Sequence, residues 1–301
     1  MGKIKYLLQR MRRMDYRAMW KTARMLHEKT GRATLGLLLD MGRCAFQYGA
    51  GYMDYKIAEM YRLTPAQRAT QITRAASNRI VARMNDKAYW HFFDNKAEFN
   101  TLFAEQVRRD WLDLRDATQN DLDAWVAAHG DVIGKPLEGS SGQGIVKYSQ
   151  GRIPPLQDIR AQGIDLLEPC VVQHPALAAL CPTSVNTLRI ATLLGDKKQG
   201  VVYAYIRIGN GGVVDNVDQG GMAAPIDLET GTISGVGADK KGNRFQTHPM
   251  TGAVIPGTPI PYWKEAVDMC LAASQVVPRV RFVAWDLSLI HISEPTRLRC
   301  I

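Results

Sequence analysis

The sequence predicts an α+β fold, and three observations carry that expectation. Through about residue 130, apolar residues recur at intervals of three and four, as in Phe92, Phe93, Phe99, Phe103, Val107 and Trp111, with few glycines or prolines inside the periodic stretches. After Gly130 the texture changes to short runs rich in Val, Ile and Leu, punctuated by Gly, Pro, Asp and Asn. The 301 residues, 46% hydrophobic and 22% charged, have ordinary globular composition, with length for one large core or two or three lobes.

The first helices are strongly basic. Between residues 1 and 31 stand Lys3, Lys5, Arg10, Arg12, Arg13, Arg17, Lys21, Arg24 and Lys29 against Asp15 and Glu28, in a chain of formal charge +9. Leu7, Leu8, Met11, Met14, Met19, Trp20 and Met25 interleave with them at roughly helical spacing. The pattern reads either as a basic amphipathic helix meeting anionic lipid or an acidic partner, or as a packed helix with a solvated basic face. No zinc finger, RNP signature or aromatic-interleaved basic sheet accompanies the charge, so nucleic acid is not an expected partner. No apolar run reaches the roughly 20 residues of a spanning helix, and the N-terminus lacks the apolar stretch of a signal peptide. The expected location is cytoplasmic, with peripheral contact at the inner membrane face left open. Cys44, Cys170, Cys181, Cys270 and Cys300 are scattered and never form a C-x-x-C pair, which points to buried small hydrophobes rather than disulfides or zinc.

In order along the chain, candidate strands are 132–135, 145–148, 166–172, 187–194, 201–208 and 280–285, with a helix over 261–276. The first of these leads into VIGKPLEGSSGQGIVKY, where Lys135 and Pro136 precede a loop holding Gly139, Ser140, Ser141, Gly142 and Gly144. Glycines let backbone N–H groups approach phosphate oxygens, and a lysine on the adjoining strand supplies a fixed positive charge. In a P-loop the lysine follows the glycines and opens a helix; here it precedes them and a strand follows, so a Walker site is not expected. Without the lysine, the loop would read equally well as a hairpin turn.

LLEPCVVQHP places Glu168 and Pro169 inside an apolar strand. A buried carboxylate there needs a partner. An adenine ring beside the strand would supply one, with the Pro169 carbonyl accepting from its amine and the Val171 N–H donating to the ring; Gln173 or His174 would reach the ribose, or His174 is structural. Arg189 in SVNTLRIATLL, and Tyr203, Tyr205 and Arg207 in VVYAYIRIG, fall on one face of two alternating strands, where arginines call for anions. The loop RIGNGGVVDNVDQGG follows with Asp215, Asn216, Gly220 and Gly221, and reads as a source of amide donors for a reacting phosphoryl group or as a plain connection. VRFVAWD ends in Asp286, where a carboxylate would hold magnesium.

Taken in this order, the pieces resemble the ATP-grasp superfamily, and specifically its branch associated with sugar transfer and polysaccharide biosynthesis. The resemblance runs over about 50–286 and rests on NDKAYWHFFDNKAEF around Lys96, GKPLEGSSGQGI, LLEPCVVQHP, PTSVNTLRIATL, RIGNGGVVDNVDQGG, HPMTG, IPYW and the pair Trp285–Asp286. It implies two α+β subdomains clasping ATP, over 131–185 and 186–286, preceded by a basic helical extension, 1–75, and a helical lead-in, 76–130. It further implies that Lys96 and Lys135 contact ATP phosphates, that Glu168 and its neighbours hold adenine, that Arg189, Arg207 and Asn216 serve the γ-phosphate and an acyl-phosphate, and that Asp286 is the first Mg2+ ligand. The implied activity is an ATP-dependent ligase joining a carboxylic acid to an amine or similar nucleophile. A nucleotide-binding module without turnover and a kinase are the alternatives.

The family continues past such a Trp–Asp pair with a Glu-x-Asn motif, which is not found here. Instead 287–297 reads LSLIHISEPTR, which looks like a translated transposase sequencing adapter. The expectation is therefore that 287–301 is non-native, that His291, Glu294 and Cys300 carry no function, and that the chain as written holds magnesium poorly.

Overall fold

The computed structural model describes residues 15–139, 144–212, 214–290 and the backbone of 296–299. The chain divides into two compact units, Met1–Ala82 and Arg83–Ile301.

The first unit is helical in its described residues. Asp15 caps helix Tyr16–Thr30 by accepting from the Ala18 N–H, and Gly31 ends it at φ +72°, a left-handed conformation that glycine adopts without a Cβ penalty. Helix Thr34–Tyr48 follows, then the short helices Tyr52–Ile57 and Pro65–Ala69. Leu26, Leu37, Met41, Cys44, Tyr55, Met60 and Tyr61 make the core of this unit.

The second unit contains two antiparallel sheets. The smaller comprises β1 (Leu112–Asp113), β2 (Val132–Lys135), β3 (Val146–Tyr148) and β4 (Leu166–Pro169), in the order β1-β4-β2-β3. The larger comprises β5 (Thr187–Leu194), β6 (Gln199–Ile208), β7 (Met222–Pro225), β8 (Gly237–Asp239), β9 (Arg244–Phe245), β10 (Phe282–Leu289) and β11 (Thr296–Arg299), in the order β11-β10-β5-β6-β7-β8-β9. Alternation along its strands separates two faces. Leu188, Ile190, Ala204, Ile206, Ile208, Met222, Ala224, Trp285, Leu287 and Leu289 are buried in one core with Ala266, Cys270 and Ala273 of helix Trp263–Val276. The register puts Thr187 opposite Arg207, Arg189 opposite Tyr205 and Asp286 opposite Arg189, so the other face gathers polar groups.

The α+β class expected from the sequence is the one found. Several boundaries differ. The 92–111 stretch is broken into short helices, His91–Asp94, Lys96–Leu102 and Ala104–Val107, whose Phe99, Phe103 and Val107 join the core beneath the large sheet. Strand β4 stops at Pro169, which has no N–H to continue a ladder. Strand β10 runs on to Leu289, and Leu287, Leu289 and Ile290 are buried, so the described part of the segment set aside from the sequence pairs as a strand.

Candidate active site

The smaller sheet presents a buried charge cluster. Glu168 on β4 lies opposite Ile133 on β2, which places it on the same face as Lys135 two residues along. The Lys135 Nζ donates to Glu168 Oε2, and the Arg109 Nη2 donates to Oε1 at 2.7 Å. All three side chains are at most 6% exposed. Lys135 and Arg109 thus bring two cations to one buried carboxylate, where low dielectric strengthens their attraction.

The turn leaving β2 is tied down from two sides. Lys96, buried at the start of helix Lys96–Leu102, donates from Nζ to the carbonyls of Leu137 at 3.1 Å and Gly139 at 3.2 Å. The Leu137 N–H donates to Asp165 Oδ2 at 3.0 Å. Gly134 allows this strand to lie close to its neighbours, because a Cβ there would stand 2.8 Å from both Ile164 and Tyr148. Gly139 and Gly144 hold φ values of +114° and +71°. Ser140, Ser141 and Gly142 lie outside the described residues.

The polar face of the larger sheet carries a second cluster. Arg189 pairs with Asp286 through two parallel bonds, Nε to Oδ1 at 2.7 Å and Nη2 to Oδ2 at 2.6 Å. Burial works against the Arg189 charge, yet the bonds to Asp286 and the neighbouring Tyr205 hold its pKa above the usual arginine value. Arg207, buried, donates to Thr187 Oγ1 at 2.9 and 2.7 Å and lies 3.3 Å from Asp286 and 3.6 Å from Asp215. Asp215 accepts from the Thr187 N–H at 2.9 Å and from its hydroxyl. Two arginines and two aspartates thus balance on three strands and one loop. Tyr203 and Tyr205 stack beside them, rings 6.2 Å apart, and burial raises the Tyr203 hydroxyl pKa.

Two sequence-derived assignments fall on side chains that already have protein partners in the structure. Asp286 reads from the sequence as a magnesium ligand, but both its oxygens face guanidinium groups, which compete for the same lone pairs and repel a dication. No group of three or more His, Cys, Asp or Glu side chains converges among the described residues. In this structure Asp286 stands as the counter-ion of Arg189 and Arg207. Gln173 is likewise spent: its Nε2 donates to the carbonyls of Cys181 and Ser184 at 2.8 and 2.7 Å, and its Oε1 accepts from the Asn186 backbone and side chain at 3.1 and 3.0 Å. All four amide positions brace the 181–186 turn rather than reach for a ribose.

Pro169 and Val171 stand half-buried just beyond the cluster, at the end of β4. Asn216 shapes its loop, its side chain accepting from the Asp218 N–H at 3.0 Å and its carbonyl from Gly221 at 3.1 Å. His248 is buried with Nε2 2.8 Å from the Gly209 carbonyl, a bracing position, while Lys240 pairs with Asp218 at 2.5 Å.

With this geometry in place, a family model described as sugar-transfer associated ATP-grasp matches residues 160–296. That segment is similar to the ATP-grasp family over less than half of the chain. The ATP-grasp match begins before β4 and covers both clusters' acidic members and all of β5 to β10. A comparison with curated proteins finds no match. Among solved structures, the chain is similar to N5-carboxyaminoimidazole ribonucleotide synthetase from Thermotoga maritima, at 11% identity and TM-score 0.40, covering 69% of this chain and 41% of that one. It is similar to the D-alanine-D-alanine ligase from Coxiella burnetii at 10% and 0.40, covering 69% and 46%. The ATP-grasp ligase PsnB, complexed with minimal precursor, Mg and ADP, gives 13% and 0.41, covering 77% and 58%. The chain spans less than two thirds of each of these proteins.

Proposed function

We propose that this chain binds ATP and activates a carboxylic acid as an acyl-phosphate for attack by an amine or similar nucleophile. The observation carrying this reading is the ATP-grasp match over 160–296, a segment that contributes Glu168 to one buried ion cluster and Arg189, Arg207, Asp215 and Asp286 to another. In the first step a substrate carboxylate oxygen bonds to the γ-phosphorus as the bond to ADP breaks. In the second, the amine attacks the acyl carbon, phosphate leaves with the bonding pair, and the amine loses a proton. Catalysis of this kind is positioning and charge neutralisation. Lys135, Arg109 and Lys96 are assigned to the nucleotide phosphates, and Arg189 and Arg207 to the transferring phosphoryl group, with Asn216 shaping the loop beside them. Pro169 and Val171 are assigned to adenine. The acid is proposed to belong to polysaccharide or cell-surface glycan assembly, in line with the family description.

A second reading, nucleotide binding without turnover, is favoured by one observation: Asp286 is engaged by arginines and no metal-binding acidic group forms among the described residues. One experiment separates the two. ATP affinity is measured by calorimetry with and without Mg2+, and ADP release is followed across an acid-by-amine panel with hydroxylamine present to trap an acyl-phosphate. Hydroxamate formation supports the ligase; ATP binding with no ADP release supports the binding module; absence of ATP binding sinks both.

A further inference from the structure

Helix Thr34–Tyr48 of the first unit is apolar on two opposite sides. At about 100° per residue, Leu37, Met41 and Cys44 share one side, and they are buried. Leu35, Leu39 and Phe46 lie about half a turn round, with Gly42 between them, and are 68%, 70% and 74% exposed. Single exposed apolar residues are ordinary, but a stripe of three on one helix face is not.

Between these two sides, the same helix lines a cleft of about 460 Å3. Its walls carry Arg32, Arg43 and Arg68 against a single acid, Asp40. Arg68 holds Asp40 through two bonds of 2.7 and 2.8 Å, and Tyr55 donates to Asp40 at 2.7 Å, so the acid is already neutralised. Arg32 and Arg43 sit exposed at the rim. Arg43 falls between the cleft and the Leu39–Phe46 side of the helix.

The charge around this helix is segregated. Met1–Ala82 holds 16 of the 38 Lys and Arg residues but 5 of the 29 Asp and Glu, a net +11 against +9 for the whole chain. On the preceding helix Trp20 and Tyr16, 53% and 51% exposed, stand among Arg17, Lys21 and Arg24. Exposed aromatics beside bases suit the boundary between headgroups and acyl chains.

We propose that the first unit docks on an anionic phospholipid bilayer, with Leu35, Leu39 and Phe46 entering the acyl boundary and Arg32 and Arg43 taking lipid phosphates at the cleft mouth. No described helix is long and apolar enough to cross a membrane, so the contact is peripheral. The apolar stripe supplies insertion; the arginines supply the preference for negative lipid.

The test is flotation of the full chain with phosphatidylcholine vesicles, with and without about a third phosphatidylglycerol. The expected result is binding to the anionic vesicles alone, weakened at least tenfold in Leu39→Glu/Phe46→Glu, whose sites are too exposed to disturb the core. Arg32→Gln/Arg43→Gln is expected to lose on the order of fivefold for each arginine. Thermal melts matching the parent keep a loss of binding from being a loss of folding. Equal binding to both vesicle types, no binding to either, or unchanged binding by the stripe variant would overturn the proposal. So would a parent dimer that the stripe variant converts to monomer, because a second copy would then be the occupant.

Discussion

Replacing Asp286 by Asn distinguishes a counter-ion from a metal ligand. In the structure Asp286, 2% exposed, answers both Arg189 and Arg207. Asparagine keeps the shape, loses the charge and puts an N–H2 group against two guanidinium groups. Removing one member of a buried ion pair costs roughly 3–5 kcal/mol. Arg189 is 26% exposed and regains some hydration, which moves the expectation to the lower end, about 3 kcal/mol. For a unit of this size that is a fall in melting temperature of about 6–12 °C. The assay is thermal and urea unfolding in excess EDTA, so that no metal contributes. A carboxylate whose main work was to hold magnesium would leave the metal-free protein unharmed or relieved. Unfolding of Asp286→Asn within about 0.5 kcal/mol of the parent would refute the counter-ion assignment.

Glu168→Gln is expected to destabilise by a similar roughly 3 kcal/mol, because Arg109 and Lys135 keep their charges in a buried site; pairing it with Lys135→Met should recover part of the loss in a double-mutant cycle by urea unfolding. Gln173→Ala removes the amide that ties Cys181, Ser184 and Asn186 together, with an expected cost of about 2–4 kcal/mol in denaturant melts and ATP affinity by calorimetry changing in parallel rather than selectively. In the first unit, burial alone would raise the Asp40 pKa, but the Arg68 and Tyr55 bonds outweigh it and leave it below the ordinary 3.8. Its contribution is therefore present above that pH and is lost as pH falls below it; the melting temperature should drop in that acid range, and Asp40→Asn should flatten the dependence.

The large sheet was legible because β5, β6 and β10 are long Val/Ile/Leu runs, and so were Arg189 and Arg207, since alternation alone puts them on one face. Strands β7, β8 and β9 have two to four residues and carry Ala, Gly, Pro or Arg rather than β-branched runs, so their pairing partners decide them. Arg109 was not legible: it lies 59 residues before Glu168, in a bend between helix Ala104–Val107 and β1, and nothing local marks it as the second cation. Asp286 was visible as a special carboxylate, but its partner follows from cross-strand register, which one strand's sequence does not contain. The 287–290 segment reads as foreign by its letters, yet its apolar alternation continues β10 into the core.

The place of β10 in the large sheet has a consequence for biosynthesis. Asp286 is separated from Arg189 by 97 residues, and β10 inserts beside β5 rather than at the nearer sheet end. During translation β5 and β6 can form their hairpin early, since their contact is local, while the β10 pairing must wait for β7 to β9 and helix Trp263–Val276 to emerge. Until then, Arg189 and Arg207 lack the Asp286 carboxylate, although Arg207 has Asp215 close by in sequence, and one side of β5 is an open edge. The ribosome-bound chain thus offers an unpaired edge at β5, the strand that carries Arg189, until β10 emerges to cover it.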